Sequence, residues 1–267
     1  MPEGIRFDAA AARGLETAYQ TTDVIFQRVR VVEALALTPG SHVLDIGSGP
    51  GLLLEALAKT VGSSGRAAGV DQSAAMVEAA SHRCAAYPQV TVDVGEALKL
   101  PYPDESFDAV VSTQVYEYVT DIPAGLQEIR RVLRPGGRAV VLDTDYDSWV
   151  IHTEDESRLA RIRDAWDEHF VHRGLPRFLG AEMKKAGFRV RQVEAIPMLN
   201  VEHHENAFSW HLTRMIAGFS AGRRACTPDD TREWLAELKR LGEAGEYFFS
   251  LNRYLFVADR EEPAPSA

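Results

Sequence analysis

The segment VLDIGSGPGLL (43–53) has the spacing most suited to chemistry: an apolar run enters Gly47, Gly49 and Gly51 and opens at once into a helical pattern. Glycines turn tightly and let a ligand approach the backbone, while a helix start offers unpaired N–H donors, so the spacing predicts a nucleotide-like ligand. Asp71 ends the next apolar run 20 residues after Gly51, where a carboxylate can accept both hydroxyls of a ribose. Read as structure alone, the loop is a strand-to-helix turn and Asp71 a carboxylate facing a helix dipole. The spacing is Gly-x-Gly-x-Gly, with Leu52 where a dinucleotide fingerprint has its third glycine and Asp45 inside the strand. An NAD(P)-dependent oxidoreductase is therefore the alternative, not the leading reading. Six of the eight histidines (His152, His169, His172, His203, His204, His211) fall in one 60-residue stretch. Histidine is the default base near neutral pH, although isolated surface histidines are common. If a base is required, His152 and His211 are the candidates, the first close behind the fifth strand and the second beside Trp210.

The elements that must position these residues alternate as βα units of a parallel sheet. Strands are expected at 42–46, 66–71, 90–94, 107–113 and 138–144, with helices at 51–61, 73–87 and 126–133. Ser73 caps the second of these helices and Pro88 breaks it. Beyond Asp145 the pattern loosens into helices at 156–170 and 181–187, a strand at 188–199 and an aromatic helical insertion at 204–221. A helix at 227–245, opened by Thr227-Pro228, and a strand at 246–258 follow. Met198, Phe208, Trp210, Met215 and Phe219 either line an apolar acceptor pocket or bury the insertion, and burial is the favoured reading for most of them.

Over about 42–143 the sequence resembles the class I S-adenosylmethionine-dependent methyltransferases, most closely the small-molecule branch of ubiquinone/menaquinone and sterol methyltransferases. LDIGSGPG, GVDQS (69–73), GEALKLPYPDESFDAVVS (95–112) and EIRRVLRPGGRAVVLD (128–143) are similar to four blocks of that family, in its order. The resemblance implies an α/β, Rossmann-like sheet of seven strands in the order 3-2-1-4-5-7-6, with the last strand antiparallel and a helical lid. It implies S-adenosylmethionine as cofactor and S-adenosylhomocysteine as product. Gly47, Ser48 and Gly49 then lie against the methionine part, and Asp45 holds the loop or the amino group. Asp71 takes the ribose, Gln72 and Met76 flank the adenine, and Glu96 with Ala97 sits at its amino group. The family usually has Asp at the Glu96 position. Gln114 faces the sulfonium. AYQTTDVIFQRVRVVEAL (18–35) resembles the family's covering helix, in which Tyr19 covers the methyl group. On that helix Arg28 either reaches the carboxylate or is a solvated charge. Tyr118, after the fourth strand with Tyr116, stands where this branch often has a histidine near the acceptor; otherwise it is a core ring.

DTDYDSWVIHTE (143–154) imitates a calcium loop, but Ser148 replaces the glycine of the sharp turn and no metal is expected. A metal-assisted site on Asp143 and Asp145 is a minor alternative. Two distant cysteines, Cys84 and Cys226, exclude a disulfide framework, a zinc set and arsenic methylation, and fit a reduced cytoplasm. With 29 Lys+Arg against 39 Asp+Glu the net charge is −10, which disfavours nucleic acid. No apolar stretch is long enough to span a membrane. The 267 residues are expected to divide into covering helices (1–40), a cofactor core (41–145), an acceptor region with strand six and lid (146–222), a final helix and strand (223–259) and a disordered tail (260–267). The expected activity is methyl transfer to a small, apolar or aromatic acceptor, O-, C- or N-methylation being open, with a non-catalytic S-adenosylmethionine-binding protein as a further alternative.

Overall fold

The structure, a computed structural model, describes residues 16–261. In chain order its elements are α1 (Thr22–Leu35), β1 (His42–Ile46), α2 (Leu52–Val61), β2 (Arg66–Asp71), α3 (Ala74–Arg83), β3 (Val90–Val94), β4 (Phe107–Thr113), α4 (Ile122–Val132), β5 (Leu133–Ile151), α5 (Glu156–Trp166), α6 (Pro176–Lys185), β6 (Phe188–Asn200), α7 (Phe208–Ser220), α8 (Pro228–Ala244) and β7 (Phe249–Arg260). The seven strands form one sheet in the order β3-β2-β1-β4-β5-β7-β6, the order the resemblance implies. β1 to β5 run parallel, while β7 inserts antiparallel to both β5 and β6. The central strands are apolar without alternation because helices cover both faces, and Val43, Leu44 and Ile46 of β1 are all buried.

α1 and α2 bury Val31, Leu35, Leu54 and Leu57 against one face, and α4 and α6 bury Leu126, Ile129, Leu179 and Met183 against the other. A third core lies past the cofactor half of the sheet, where α5, α7 and α8 close over the far end of β5 and the start of β7. It holds Trp149, Trp166, Met198, Phe208, Trp234 and Phe249, with Met215 and Phe219 at its edge.

Several boundaries differ from expectation. β5 runs from Leu133 to Ile151 rather than 138–144 because β7 pairs along most of it, across a register shift between Asp145 and Val150. α3 stops at Arg83, well short of Pro88. α4 starts at Ile122, four residues early, because the Asp121 side chain accepts from Ala124 N and Pro123 occupies the first turn. α5 ends at Trp166 and tightens into a 3₁₀ turn over Asp167–His169. α6 begins at Pro176, and the expected insertion helix is α7. Arg260, expected to start a disordered tail, ends β7 and bonds the Leu133 carbonyl and Glu105. Residues 1–15 of the expected covering region and 262–267 of the expected tail lie outside the described residues.

Trp234 is fully buried and tilted against Trp149 at 6.4 Å between ring centroids. Trp234→Ala is expected to lower the urea-measured stability by about 3–5 kcal/mol; a loss below 1 kcal/mol would show that the third core is not cooperative with the sheet.

Candidate functional site

A cavity of about 430 Å³ opens at the carboxyl ends of β1, β2 and β4 beneath α1. This is where open α/β sheets place ligands. Tyr19, Arg28, Asp45, Gly47, Ser48, Gly49, Asp71, Gln72, Met76, Glu96, Ala97, Gln114 and Tyr118 all line it. Thus the fold brings every expected cofactor residue to one cavity.

The glycine loop is shaped from both sides. Gly49 has φ +51°, and a Cβ built there would meet nothing within 4 Å, so its missing side chain is room on the loop. Gly51 has φ +82°, and a Cβ there would come within 2.9 Å of Ala80 Cα, so this glycine serves the packing of α2 on α3. The Asp71 carboxylate accepts from Gly49 N at 3.0 Å and from Ser73 N at 2.9 Å, joining the β1 and β2 loops. Burial pushes its pKa up, and the two N–H donors pull it back. Each oxygen keeps a further lone pair for a ligand hydroxyl.

Asp45 is 1% exposed, and neither of its carboxylate oxygens has a hydrogen-bond partner. Burial, and then the nearby Asp71, hold its pKa well above the usual carboxylate range. The Ser48 hydroxyl beside it is also buried without a partner. Gln114 is left-handed at φ +57°, strained for a side-chain-bearing residue, and is fixed by Gln114 N to Leu142 O and Gln114 Nε2 to Thr144 Oγ1, both 2.7 Å. Arg28 donates to the Tyr19 carbonyl, with burial lowering its pKa and Arg83 lowering it further. An open glycine, the Asp71 carboxylate with its free lone pairs and the unpartnered buried Asp45 fit a nucleoside that also carries a cationic amino group.

Behind the cavity wall lies a second polar cluster. Tyr118 Oη is 3.3 Å from His169 Nε2, and its hydroxyl favours the ionised form of the neighbouring Glu117 carboxylate. Glu117 is 1% exposed. Burial pushes its pKa up to about 7, against Arg253, Tyr118 and Thr144 N, which favour the ion. Asp143, beside it, is raised well above its usual range by burial and then by Glu117. Arg253, 1% exposed, donates to Gln27 and lies 4.4 Å over the Phe208 ring. Burial pushes His169 down to about 4, so the imidazole is neutral at physiological pH.

The two histidines favoured as bases are elsewhere. His152 is exposed, with Nδ1 2.7 Å from the Glu246 carbonyl, and His211 Nε2 is 2.7 Å from the Glu205 carbonyl. Neither lines the cavity, because α7 and the end of β5 face the third core instead. Tyr116 is wholly buried and donates to the Gly125 carbonyl. Asp143 and Asp145 do not converge as a metal pair: Asp145 is clamped by Arg177 at 3.0 and 3.1 Å, and Asp143 turns to Glu117. Sequence reasoning missed Glu117 and did not single out His169. A charge inside the run VYEYV was the one available signal for Glu117.

Residues 44–141 match the family model described as a methyltransferase domain. An uncharacterized 37.1 kDa protein in transposon TN4556 of Streptomyces fradiae is 35% identical over 85% of this chain and 65% of its own length. A 2-phytyl-1,4-naphtoquinone methyltransferase of Thermosynechococcus vestitus is 32% identical over 63% of this chain and 80% of its own length. Other relatives named for the same or the demethylmenaquinone activity match over shorter stretches, and the chain spans less than half of their length. Among solved structures, the [4+2]-cyclase SpnF superposes with a TM-score of 0.60 at 20% identity, covering 89% of this chain and 81% of that one, and shows the shared fold.

The raised pKa of Asp45 fixes a sign. Its proton is held more tightly in the folded chain, so its favourable contribution is complete below the ordinary carboxylate pKa and is lost as pH rises toward the folded value. Asp45→Asn cannot ionise. Its stability relative to wild type should therefore improve by about 1–3 kcal/mol between pH 4 and pH 8, measured by urea unfolding without ligand. A difference that does not change with pH would mean that Asp45 is ionised in the free protein.

Proposed function

The chain belongs to the class I S-adenosylmethionine-dependent methyltransferases, and on that premise we propose that it transfers the methyl group of S-adenosylmethionine to a small, apolar or aromatic acceptor. The observation that carries the reading is Asp45: a buried acid without a partner, facing the same cavity as the open Gly49 and the ribose-competent Asp71. A cationic amino group entering the cavity supplies the missing partner and ionises Asp45. Asp71 accepts ribose hydroxyls, with Gln72, Met76, Glu96 and Ala97 around the base. Gly47, Ser48 and Gln114 face the methionine part, and Arg28 of α1 and Tyr19 of the turn before it cover it.

When bound, the sulfonium supplies an electrophilic methyl whose bond to sulfur breaks, the electron pair staying on sulfur, as the acceptor's nucleophile bonds to carbon. The chain's own contribution is to align that nucleophile, exclude water and dispose of a proton. We assign Tyr118, one of the polar residues lining the cavity, to its acceptor side. The stretch 146–222 is read as the acceptor region, since it sets His169 and Phe170 against the Tyr118 ring. Relatives named for naphthoquinone and demethylmenaquinone methylation favour a quinol-type ring as acceptor. Free, buried Cys84 and Cys226 agree with a cytoplasmic setting, and no helix among the described residues is long and apolar enough to cross a membrane.

Calorimetric titration with S-adenosylhomocysteine and, separately, with NADH tests the ligand: binding of the first alone is expected. Asp71→Ala should weaken S-adenosylhomocysteine by about 1–3 kcal/mol, the scale of hydrogen bonds to a charged group. Unchanged affinity in the folded variant would remove Asp71 from the site. Gly49→Val should abolish detectable binding, since a branched side chain fills the open space and opposes φ +51°; native affinity in that variant would refute the loop assignment.

A further inference from the structure

The Tyr118–His169 pair has a defined proton direction. His169 Nδ1 is 2.7 Å from the Trp166 carbonyl. A carbonyl can only accept, so Nδ1 carries the ring proton and Nε2 is left as an acceptor, 3.3 Å from the Tyr118 hydroxyl. Among the described residues, His169 and Glu117 stand where they can take the one Tyr118 proton. Burial pushes the Glu117 pKa up to about 7, and below it the carboxyl is protonated and no longer competes as an ion for the Tyr118 proton, which is left to His169. The imidazole sits in an aromatic cage, its ring centroid 3.7 Å from that of Trp166, 3.6 Å from Phe170 and 5.2 Å from Phe219. Burial in that cage holds the His169 pKa down to about 4, so the ring is a neutral acceptor at rest and a proton it receives is held only transiently.

We propose that Tyr118 and His169 form a proton outlet for the reaction, so that the acceptor this cavity takes is a hydroxylated ring, a phenol or quinol whose O–H must ionise as methyl transfer proceeds. The inference rests on the methyl-transfer reading above. The acceptor O–H bond breaks and its proton passes to the Tyr118 oxygen, while the Tyr118 proton moves to His169 Nε2. The acceptor oxygen keeps the O–H electron pair for attack, from itself or through the ring carbon beside it. The positive charge lost when the sulfonium becomes a thioether reappears on the caged imidazolium, so charge and protons balance with no further reactant. A weakly basic imidazole suffices, because a hydroxyl oxygen that has begun to accept a methyl cation is a strong acid. His169 acts through Tyr118 and needs no contact with the acceptor.

The full-length protein offers two readouts. In ¹⁵N-labelled protein, His169, assigned by its loss in His169→Gln, should show a protonated Nδ1 and an unprotonated Nε2. The opposite tautomer would overturn the outlet without any activity being measured. The second readout is methyl transfer to a 1,4-naphthohydroquinone and to phenols of graded acidity ending in 2,4-dinitrophenol. His169→Gln keeps a hydrogen-bond acceptor for Tyr118 but has no basicity. It and Tyr118→Phe should each lower kcat by about 100-fold, the double variant no further, with S-adenosylhomocysteine affinity unchanged. The deficit should shrink toward nothing for 2,4-dinitrophenol, which is ionised at the assay pH of 6, where Glu117 is largely neutral, and needs no base. A deficit independent of acceptor acidity would assign His169 a structural role, and methylation of amines or thiols but no hydroxylated ring would overturn the acceptor class. In both cases binding of S-adenosylhomocysteine leaves the methyl-transfer reading standing, whereas a wild-type chain that does not bind it refutes that reading and this inference together.

Discussion

The Asp71 carboxylate spans two backbone N–H groups, those of Gly49 and Ser73, and the cavity exists in its present form because of it. One oxygen fixes the loop after β1 and the other fixes the turn before α3, so the walls on either side of the ligand position are set relative to each other. The parallel register of β1 and β2, with Asp45 opposite Gly69 and Ile46 opposite Val70, brings the two loops within reach. Backbone bonds from Gly47 and Ser48 to the Val70 carbonyl complete the joint. The cost is that Asp71 stands close enough to Asp45 to raise its pKa further. Two acids at adjacent strand ends are tolerable only if one stays protonated or a cation arrives.

The same logic recurs one strand over. Glu117 and Asp143 share a buried environment with one guanidinium, that of Arg253. Arg253 lies in the middle of β7, opposite Thr144 of β5 and Ile196 of β6, and reaches Gln27 of α1. It therefore links the antiparallel end of the sheet to the helix that roofs the cavity. Burying such groups in place of apolar side chains is poor economy for stability alone, so a polar cluster behind the wall of a ligand cavity is most simply read as part of what the cavity does. The third core supports it: Trp166, Phe170 and Phe219 pack against the His169 ring at the back of Tyr118.

The cofactor side was far more legible than the acceptor side. Gly47, Gly49 and Asp71 are tied to one another by short stretches of chain, and each does work that a single βα unit can express: a turn, a strand end, a cap. Asp45, Gln114 and Glu96 lie at or just past the ends of neighbouring parallel strands, so naming the strands was enough to place them on one rim. The histidines follow no such rule. His152 and His211 were attractive for their position in the chain, yet their ring nitrogens lie on the carbonyls of Glu246 and Glu205. His169, from the same stretch, lies behind the cavity wall because α5 ends at Trp166 and tightens into a 3₁₀ turn that swings the ring inward.

Sequence by itself located the strands and the ligand rim, since apolar runs, glycines and caps act over a few residues and a parallel sheet repeats the same βα step, while the strand order came from the resemblance. It also identified the last helix, where Thr227 and Asp230 form a reciprocal cap that a local motif encodes. Tertiary structure alone decided which charges are buried together, which histidine meets Tyr118 and how far β5 extends. Those outcomes depend on contacts between residues far apart in the chain, 51 positions for Tyr118 and His169 and 226 for Gln27 and Arg253. No local pattern carries the desolvation that sets their protonation, because that energy exists only once the intervening chain has closed around them.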